Sequence, residues 1–240
     1  QVERKFKVTK GNQDINFKRY WEPFPEIESY LNKYIKPSDK ILEIGPGSVP
    51  FQQATHYIGF DEGESKHYPN FTKCDVSLEK IPFPDNHFDF VYCRHVLEDI
   101  SNPMGALDEI QRTCKKGYLE TPSPLSEIWD FAEAVHGDYK GYSHHRYFLW
   151  NDGKLNIMAK YPIVEKITFN KTNVNELLEE PYNWITPFFF DDKINWKLHQ
   201  HGWNKEFMVN KASTYTNCIN QAIAQSIKQS KHFKEVIKNA

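Results

Sequence analysis

A short apolar strand followed at once by two glycines occupies residues 40–47, whose sequence is Lys-Ile-Leu-Glu-Ile-Gly-Pro-Gly. Gly45 and Gly47 stand one residue apart, and Glu43 precedes them. Because glycine has no Cβ, it lets a backbone turn sharply off a strand and come into contact with a ligand. Such a turn also leaves amide N–H groups free at a helix start. The segment therefore predicts a cofactor-binding loop in an α/β sheet.

Two further predicted strands each end in an acidic residue. Residues 56–60 form the second strand, and Asp61 follows it 16 residues after Gly45 (61 minus 45). The third strand, about 70–74, leads into Asp75 and Val76. In open α/β sheets an acidic side chain at the end of the second strand accepts hydrogen bonds from ribose hydroxyls. The spacing thus favours a cofactor that carries a nucleoside.

A fourth strand is predicted within the sequence of residues 81–100, Ile-Pro-Phe-Pro-Asp-Asn-His-Phe-Asp-Phe-Val-Tyr-Cys-Arg-His-Val-Leu-Glu-Asp-Ile. Residues 88–93 are largely apolar and aromatic, as expected of a strand that is covered on both faces. His95 stands just past the end of this strand.

These segments together resemble the class I S-adenosylmethionine-dependent methyltransferases, in particular a methyltransferase-11-like group with a shortened first helix. The resemblance covers about residues 25–123 and is most specific at 81–100, where Asp99 replaces the second histidine of the family's His-Val-Leu-Glu-His stretch. It implies a Rossmann-like α/β fold with a seven-stranded, mostly parallel sheet and flanking helices. The many aromatic residues after position 128 favour an aromatic cap insertion that forms the acceptor pocket. The resemblance also implies methyl transfer from S-adenosyl-L-methionine to a small polar acceptor.

The resemblance carries cofactor-binding roles onto matching positions of this chain. Asp75 and Val76 are expected to recognise the adenine amino group and to cover the ring. The Glu43 carboxylate would favour the positively charged methyl donor. The expected cofactor-binding residues are Glu43, Gly45, Gly47, Asp61, Asp75, Val76 and Cys93.

The first crossover departs from the family pattern. Val49 stands in place of a third glycine, and residues 48–55 leave room for about two turns of helix. One alternative is therefore a non-catalytic, methyltransferase-like binding or scaffolding module. A second alternative is an NAD-dependent oxidoreductase, but its Gly-x-Gly-x-x-Gly fingerprint fails because Pro50 occupies the last position.

Four residues are candidates for catalysis, because a base is needed if the acceptor begins as a hydroxyl or an ammonium. His95, Glu120, His144 and His145 are these candidates. The tandem histidines could bind a metal, act as a base or contact substrate; on a strand, one would face the core and the other solvent. No Cys or His lies two to four residues from them, so no metal site is predicted.

The remaining elements follow from periodicity and capping residues. A helix is predicted from about Pro23 to before Pro37, and another from the Asn102–Pro103 cap to Gly117. The fifth strand follows at 118–121. The remaining expected elements are two closing strands, at 163–169 and 206–209, and a terminal helix at 214–238.

The chain is expected to form a single methyltransferase domain over residues 1–240. Its expected parts are a cofactor-binding half at 23–123, an aromatic cap and substrate region at 124–200, and a closing strand with the C-terminal helix at 201–240.

Charge and cysteine usage narrow the possible partners. The net charge of −2 gives no field that would attract a polyphosphate chain, so nucleic acid as a bulk partner is not expected. The four cysteines show neither close pairing nor metal-ligand spacing and are expected to be reduced, partly buried thiols. No apolar run reaches the ~18 residues of a membrane helix. These features favour a cytoplasmic enzyme that acts on a small molecule, and they leave the oligomeric state open.

Overall fold

The structure, a computed structural model, describes residues 7–10, 13–16, 23–60, 66–129, 139–199 and 211–239. Its strands in chain order are β1 (Lys7–Lys10), β2 (Gln13–Asn16), β3 (Ile41–Ile44), β4 (His56–Gly59), β5 (Phe71–Lys73), β6 (Phe90–Arg94), β7 (Lys116–Pro122), β8 (Tyr147–Asn151), β9 (Leu155–Ala159), β10 (Ile185–Asp191) and β11 (Trp196–His199). Its α-helices are α1 (Pro25–Leu31), α2 (Pro103–Thr113), α3 (Pro124–Glu127), α4 (Lys171–Leu177) and α5 (Lys211–Asn239).

The main sheet has the strand order β10-β7-β6-β3-β4-β5. All neighbours are parallel except β10, which runs antiparallel to β7. From β3 the chain continues first to one side, through β4 and β5, and then to the other, through β6 and β7. A ligand crevice is expected where the order reverses, at the carboxyl ends of β3 and β6. The expected mostly parallel α/β fold is confirmed, with six strands in the described part of this sheet in place of seven.

The closing strand is not where the sequence pattern placed it. Residues 163–169 were expected to form a strand, but Pro162–Lys166 is a 3₁₀ helix. A proline at the first helical position pre-sets the backbone angle for such a turn. The closing strand is instead β10, whose aromatic and β-branched residues suit a pleated surface. It lies within residues 124–200, the region expected to carry the aromatic cap. The other expected strand, 206–209, lies outside the described residues.

The first crossover, residues 45–55, contains turns and no helix, in contrast to the expected two-turn helix. Pro46 and Pro50 both lack the N–H group that a helix ladder requires. The segment is instead anchored to the strands, because the Gly45 amide donates to the Ile58 carbonyl at 2.8 Å and the Thr55 amide donates to the Ile41 carbonyl at 2.9 Å.

The helices agree better with expectation. The Asn102 side chain caps α2 by accepting the Gly105 amide at 3.0 Å. α1 begins near the expected residue but ends at Leu31, earlier than the sequence suggested. The long helix α5 was expected from 214 to 238 and spans Lys211–Asn239. Among the described residues, no helix combines the length and apolar character that crossing a bilayer would need.

A second sheet and the C-terminal helix pack against the main sheet. β8 pairs antiparallel with β9, and β11 pairs parallel with β9. One continuous apolar cluster joins Tyr118 of the main sheet to Phe148 of β8 and to Tyr215 and Ile219 of α5. The region after residue 123 therefore packs directly on the core.

The four cysteines are free thiols. Cys74, Cys93 and Cys114 are buried, and Cys218 is partly buried. Burial raises the pKa of each thiol, to about 11 for Cys74 and about 12 for Cys114.

Gly117 lies within β7 and does not terminate a helix, which corrects the expectation from sequence. α2 already ends at Thr113, and Cys114 adopts an extended backbone. A Cβ atom at Gly117 would lie 2.7 Å from the Val91 carbonyl oxygen and 2.8 Å from Cε1 of Phe190. Glycine is therefore required here by the close approach of β6 and β10.

We expect Gly117→Ala to destabilise the fold by ~1–3 kcal/mol, because its methyl group overpacks a buried sheet position. Gly105→Ala is the matched control, since its Cβ would meet the movable Asn102 amide. Loss of that cap and gain in helix propensity each amount to ~1 kcal/mol and oppose one another. Urea unfolding of both variants measures the difference, and equal stabilities would contradict the packing argument.

Candidate functional site

A cavity of about 210 Å³ opens at the carboxyl edge of the main sheet, where the strand order reverses. It is lined by Ile44, Gly45, Gly47, Ile58, Gly59, Phe60, Cys74, Asp75, Val76, His95, Val96, Asp99 and Ile100. These residues follow β3, β4, β5 and β6 in turn. Five of the residues singled out from the sequence thus meet in one place: Gly45, Gly47, Asp75, Val76 and His95. Asp61 lies outside the described residues, although Phe60 before it lines the cavity.

Both glycines of the first loop adopt backbone angles that favour glycine. The φ angle is +67° at Gly45 and +56° at Gly47. A Cβ atom at Gly45 would lie 2.5 Å from Cγ2 of Val96, so this position has no room for a side chain. At Gly47 an added Cβ would meet no described atom within 4 Å. The second glycine therefore leaves open space beside the cavity.

Asp75 is oriented by the turn that follows β5. Its Oδ1 atom accepts the Ser77 amide at 2.9 Å and the Ser77 hydroxyl at 2.6 Å. Its own amide donates to the Glu79 carboxylate at 3.0 Å. Since Oδ1 is bound to Ser77, Oδ2 is the oxygen that can accept a ligand's hydrogen bond at the cavity wall.

Glu43 and Cys93 lie behind the cavity and not in its lining. Glu43 is buried, and both of its carboxylate oxygens accept the Phe51 amide, at 3.1 and 2.9 Å. Burial raises the pKa of Glu43 to about 7, although the Phe51 amide and the Arg94 charge act in the opposite direction. Cys93 is also buried. The Glu43 carboxylate thus binds the backbone of the first crossover.

Glu120 lies in a buried ion pair. Its Oε1 accepts the Arg94 Nε–H at 2.7 Å, and its Oε2 accepts the Tyr118 hydroxyl. Burial raises the pKa of Glu120, but Arg94 and His95 outweigh it and hold the pKa at about 2. A carboxylate that holds its proton so weakly is a poor general base near neutral pH. These contacts favour an ion-pair role for Glu120 over the catalytic role considered from the sequence.

His95 reaches the cavity from a left-handed backbone position, with φ of +51°. Its Nε2 lies 3.4 Å from Glu120 Oε1, and its Nδ1 lies 3.4 Å from Glu98 Oε1. Burial acts to lower the pKa of His95, and the two carboxylates raise it by more. The imidazole is therefore held between two buried acids at the edge of the site.

The tandem histidines occupy a turn before β8 and not a strand. His145 is buried and His144 is exposed, so the expected split between core and solvent holds although its strand geometry does not. Nε2 of each lies close to Asp99 Oδ1, at 3.8 Å for His144 and 3.6 Å for His145. Asp99 itself lines the cavity.

A group of buried charges behind His145 was not apparent from the sequence. Glu127 Oε1 lies 2.5 Å from His145 Nδ1, and Glu127 Oε2 lies 2.6 Å from the Lys160 ammonium. Glu98 is fully buried beside Asp99. Since no short sequence motif links residues 98, 127 and 160, only the fold brings them together. Asp99 was visible as a departure from the family pattern.

Comparisons with known proteins agree with this geometry. Residues 43–119 match the family model described as "Methyltransferase domain". An uncharacterized methyltransferase of Schizosaccharomyces pombe is 28% identical, over 40% of this chain and 44% of the relative. The ubiquinone/menaquinone biosynthesis C-methyltransferase UbiE of Cupriavidus necator is 35% identical, over 28% of this chain and 27% of that protein. The chain thus spans less than half the length of these curated relatives.

Among solved structures, a SAM-dependent methyltransferase from Aquifex aeolicus aligns with a TM-score of 0.33 and 21% identity, over 42% of this chain and 65% of that one. A putative methyltransferase from Anabaena variabilis gives a TM-score of 0.37 and 16% identity, over 44% and 49% of the two chains.

The strand order and the residues at the sheet's carboxyl edge define an α/β domain of the class I type. Residues 43–119 thus match a methyltransferase domain, in agreement with the S-adenosylmethionine-dependent class that the sequence resembles.

The raised pKa of Glu43 predicts a pH-dependent stability. Between pH 4.5 and 7 the unfolded chain ionises Glu43 while the folded chain keeps its proton, so the folded state binds more protons and its stability falls as pH rises. The free energy of unfolding should fall by about 3 kcal/mol at most. The unfolding free energy of wild type minus that of Glu43→Gln should therefore fall as pH rises over this range.

Urea unfolding from pH 4.5 to 8 measures that difference. Glu26→Gln, an exposed glutamate of α1, is the matched control and should show no such trend. A Glu43→Gln difference that does not vary with pH would contradict the assignment.

Proposed function

We propose that this protein transfers a methyl group from S-adenosyl-L-methionine to a small polar acceptor. The observation that carries the proposal is the cavity at the reversal of strand order, which gathers the glycine loop and the strand-end residues. The match of residues 43–119 to a methyltransferase domain supports it. We further propose that residues 1–240 act as one domain in the cytoplasm, without bulk nucleic acid or a membrane as partner.

The residues present fit such a cofactor. The open space at Gly47 admits part of a ligand, while Val76 and Ile100 offer apolar surface for a flat ring. Asp75 Oδ2 would accept a hydrogen bond from an amino group at the same wall. Asp61, the next acid after β4, would hold the ribose. When bound, the cofactor supplies an electrophilic methyl group on a positively charged sulfur.

The protein's own contribution is then alignment and proton removal. Holding two reactants in line can supply several kcal/mol of the barrier reduction. His95 would accept the proton of a hydroxyl or amine acceptor, because it is the only one of the three candidate histidines that lines the described part of the cavity. Because Glu120 Oε1 already accepts the Arg94 Nε–H, we assign the Nδ1 hydrogen of His95 to Glu98 and leave Nε2 as the nitrogen that would take the proton.

One observation favours the non-catalytic alternative. The crossover after β3 holds no helix, so the helix N-terminus that the family presents to its cofactor is replaced by turns. A binding or scaffolding module would tolerate that change without loss of role. Cofactor binding separates the two proposals.

Calorimetry with S-adenosylhomocysteine tests cofactor binding. We expect wild-type protein to bind, and Asp75→Ala to bind about 10- to 150-fold more weakly, because a charged hydrogen bond of ~1.5–3 kcal/mol is lost. Asp108→Ala, an exposed aspartate of α2 outside the cavity, is the control and should bind like wild type. Absence of heat and of a thermal shift with wild type at millimolar ligand would favour the scaffolding module.

The role of His95 predicts a separate effect on turnover. His95→Asn keeps the left-handed backbone, which asparagine tolerates, and removes the base. We expect S-adenosylhomocysteine affinity to change little and turnover to fall by ~10²- to 10⁴-fold. Because the pKa of His95 is raised, the wild-type rate should fall as pH drops through a midpoint above 6.5. Release of S-adenosylhomocysteine, with a panel of phenols, alcohols and amines, measures both effects. A variant as fast as wild type on an accepted substrate would exclude His95 as the base.

A further inference from the structure

We propose that Asp99, His144 and His145 form a binding site for a divalent transition-metal ion of the zinc type. One ligand atom from each residue lies within 4.8 Å of the other two. This differs from the expectation from sequence, which predicted no metal site because only the tandem histidines could be seen. The third donor comes from the segment that follows β6 and is 45 residues away from His144 (144 minus 99).

The spacing of the donor atoms suits a metal ion better than direct hydrogen bonds. Asp99 Oδ1 lies 3.6 Å from Nε2 of His145 and 3.8 Å from Nε2 of His144. Bonds of about 2.0–2.2 Å in a tetrahedral site separate the ligands by roughly 3.3–3.6 Å. In addition, Asp99 Oδ1 is buried and has no hydrogen-bond partner among the described residues. The three atoms are therefore spaced so that a single ion between them could contact all three.

A buried carboxylate fixes the orientation of His145. Nδ1 of its ring lies 2.5 Å from Glu127 Oε1. Glu127 Oε2 accepts a hydrogen bond from the Lys160 ammonium at 2.6 Å, so this carboxylate is ion-paired. An ionised carboxylate can only accept, so Nδ1 carries the hydrogen. In a neutral imidazole, Nε2 then holds the lone pair that faces Asp99. Metal-bound histidines are oriented by carboxylates in the same way.

The backbone holds the two segments of the site together. The Arg146 amide donates to the Glu98 carbonyl at 2.7 Å, which links the histidine turn to the segment that carries Asp99. Gly141, before the turn, packs on Glu127, where a Cβ would lie 2.6 Å from the Glu127 carbonyl oxygen. The Lys160 ammonium donates hydrogen bonds to the Lys140 and Tyr142 carbonyls at 2.8 and 3.0 Å. Hydrogen bonds and close packing thus hold the two ligand-bearing segments in fixed positions.

Two imidazoles and one carboxylate are the donor set of zinc sites that keep one position for water or substrate. Lys160 offsets the charge of Glu127, so the Asp99 charge, with Glu98 buried beside it, is available to a cation. Because Asp99 also lines the cavity, an ion bound there would lie at the wall of the proposed methyl-transfer site.

A competing account uses no metal. His145 would be a permanent imidazolium, paired with Glu127 through Nδ1 and with Asp99 through Nε2. It predicts that Nε2 of His145 carries a proton at pH 7.5 and that the protein has no specific site for zinc.

Zinc titration of tag-free protein, stripped with a chelator, tests the proposal at pH 7.5 without methyl donor or acceptor. Calorimetry should show that the wild-type protein binds one zinc ion. His144→Gln and Asp99→Asn should each weaken it by ~10- to 100-fold or more, and Glu127→Gln should weaken it by ~10- to 100-fold through loss of ring orientation. His232→Gln, an exposed histidine of α5, is the matched control and should bind like wild type.

Two further measurements keep the test decisive. Cobalt-substituted wild type should show the intense visible absorption of a tetrahedral site, and cobalt-treated His144→Gln should not. Because the His144 side chain is exposed, its replacement should leave the fold intact, so misfolding would not explain the loss of absorption. Nitrogen NMR should show the Nε2 resonance of His145 shift on addition of zinc, while the Nδ1 hydrogen directed at Glu127 is retained. Zinc affinity in His144→Gln and Asp99→Asn equal to that of the His232→Gln control, or no zinc binding by the wild-type protein, would overturn the proposal.

Discussion

The contact between the Glu43 carboxylate and the Phe51 amide holds the first crossover in place. Between β3 and β4 the chain has too few residues and too many prolines for a helix, so it needs another support. The Phe51 ring strengthens the contact, since it stacks on Tyr92 of β6 with ring centres 4.3 Å apart. Because the same crossover carries Gly45 and Gly47, the shape of the cavity wall depends on one buried acid whose pKa is near 7.

Buried charges continue from this point along the carboxyl edge of the sheet. Arg94 pairs with Glu120, His95 lies between Glu120 and Glu98, and Glu127 lies between His145 and Lys160. Breaking a buried pair by removing one partner usually costs 3–5 kcal/mol, whereas an apolar replacement of both partners is often tolerated. Stability alone therefore does not explain why so many charges are buried here. Their arrangement favours a role in orienting side chains and setting the charge at this edge of the sheet.

The sequence predicted the half of the fold whose signals are local. The strand and glycine pattern at 40–47 and the block at 81–95 placed β3 and β6 correctly, because buried parallel strands and their loops depend on neighbouring residues. Asn102 likewise predicted the start of α2. The closing strand β10 was missed because aromatic residues after position 128 suit a core helix, a strand or a cap equally well, and only pairing with β7 selects among them. The charge cluster was missed for the same reason, since Glu98, Glu127 and Lys160 are distant in the chain and meet only after the second sheet docks.

The positions of the four native thiols affect how this protein can be studied. Alkylating reagents attack thiolates at exposed sites, and each of these cysteines is at least partly buried with a pKa above its usual value. The folded protein should therefore react slowly with maleimides. A single cysteine introduced at an exposed place, such as Tyr139 beside the turn that carries the tandem histidines, would then take up a fluorescent label selectively and report movement of that turn without removal of any native residue.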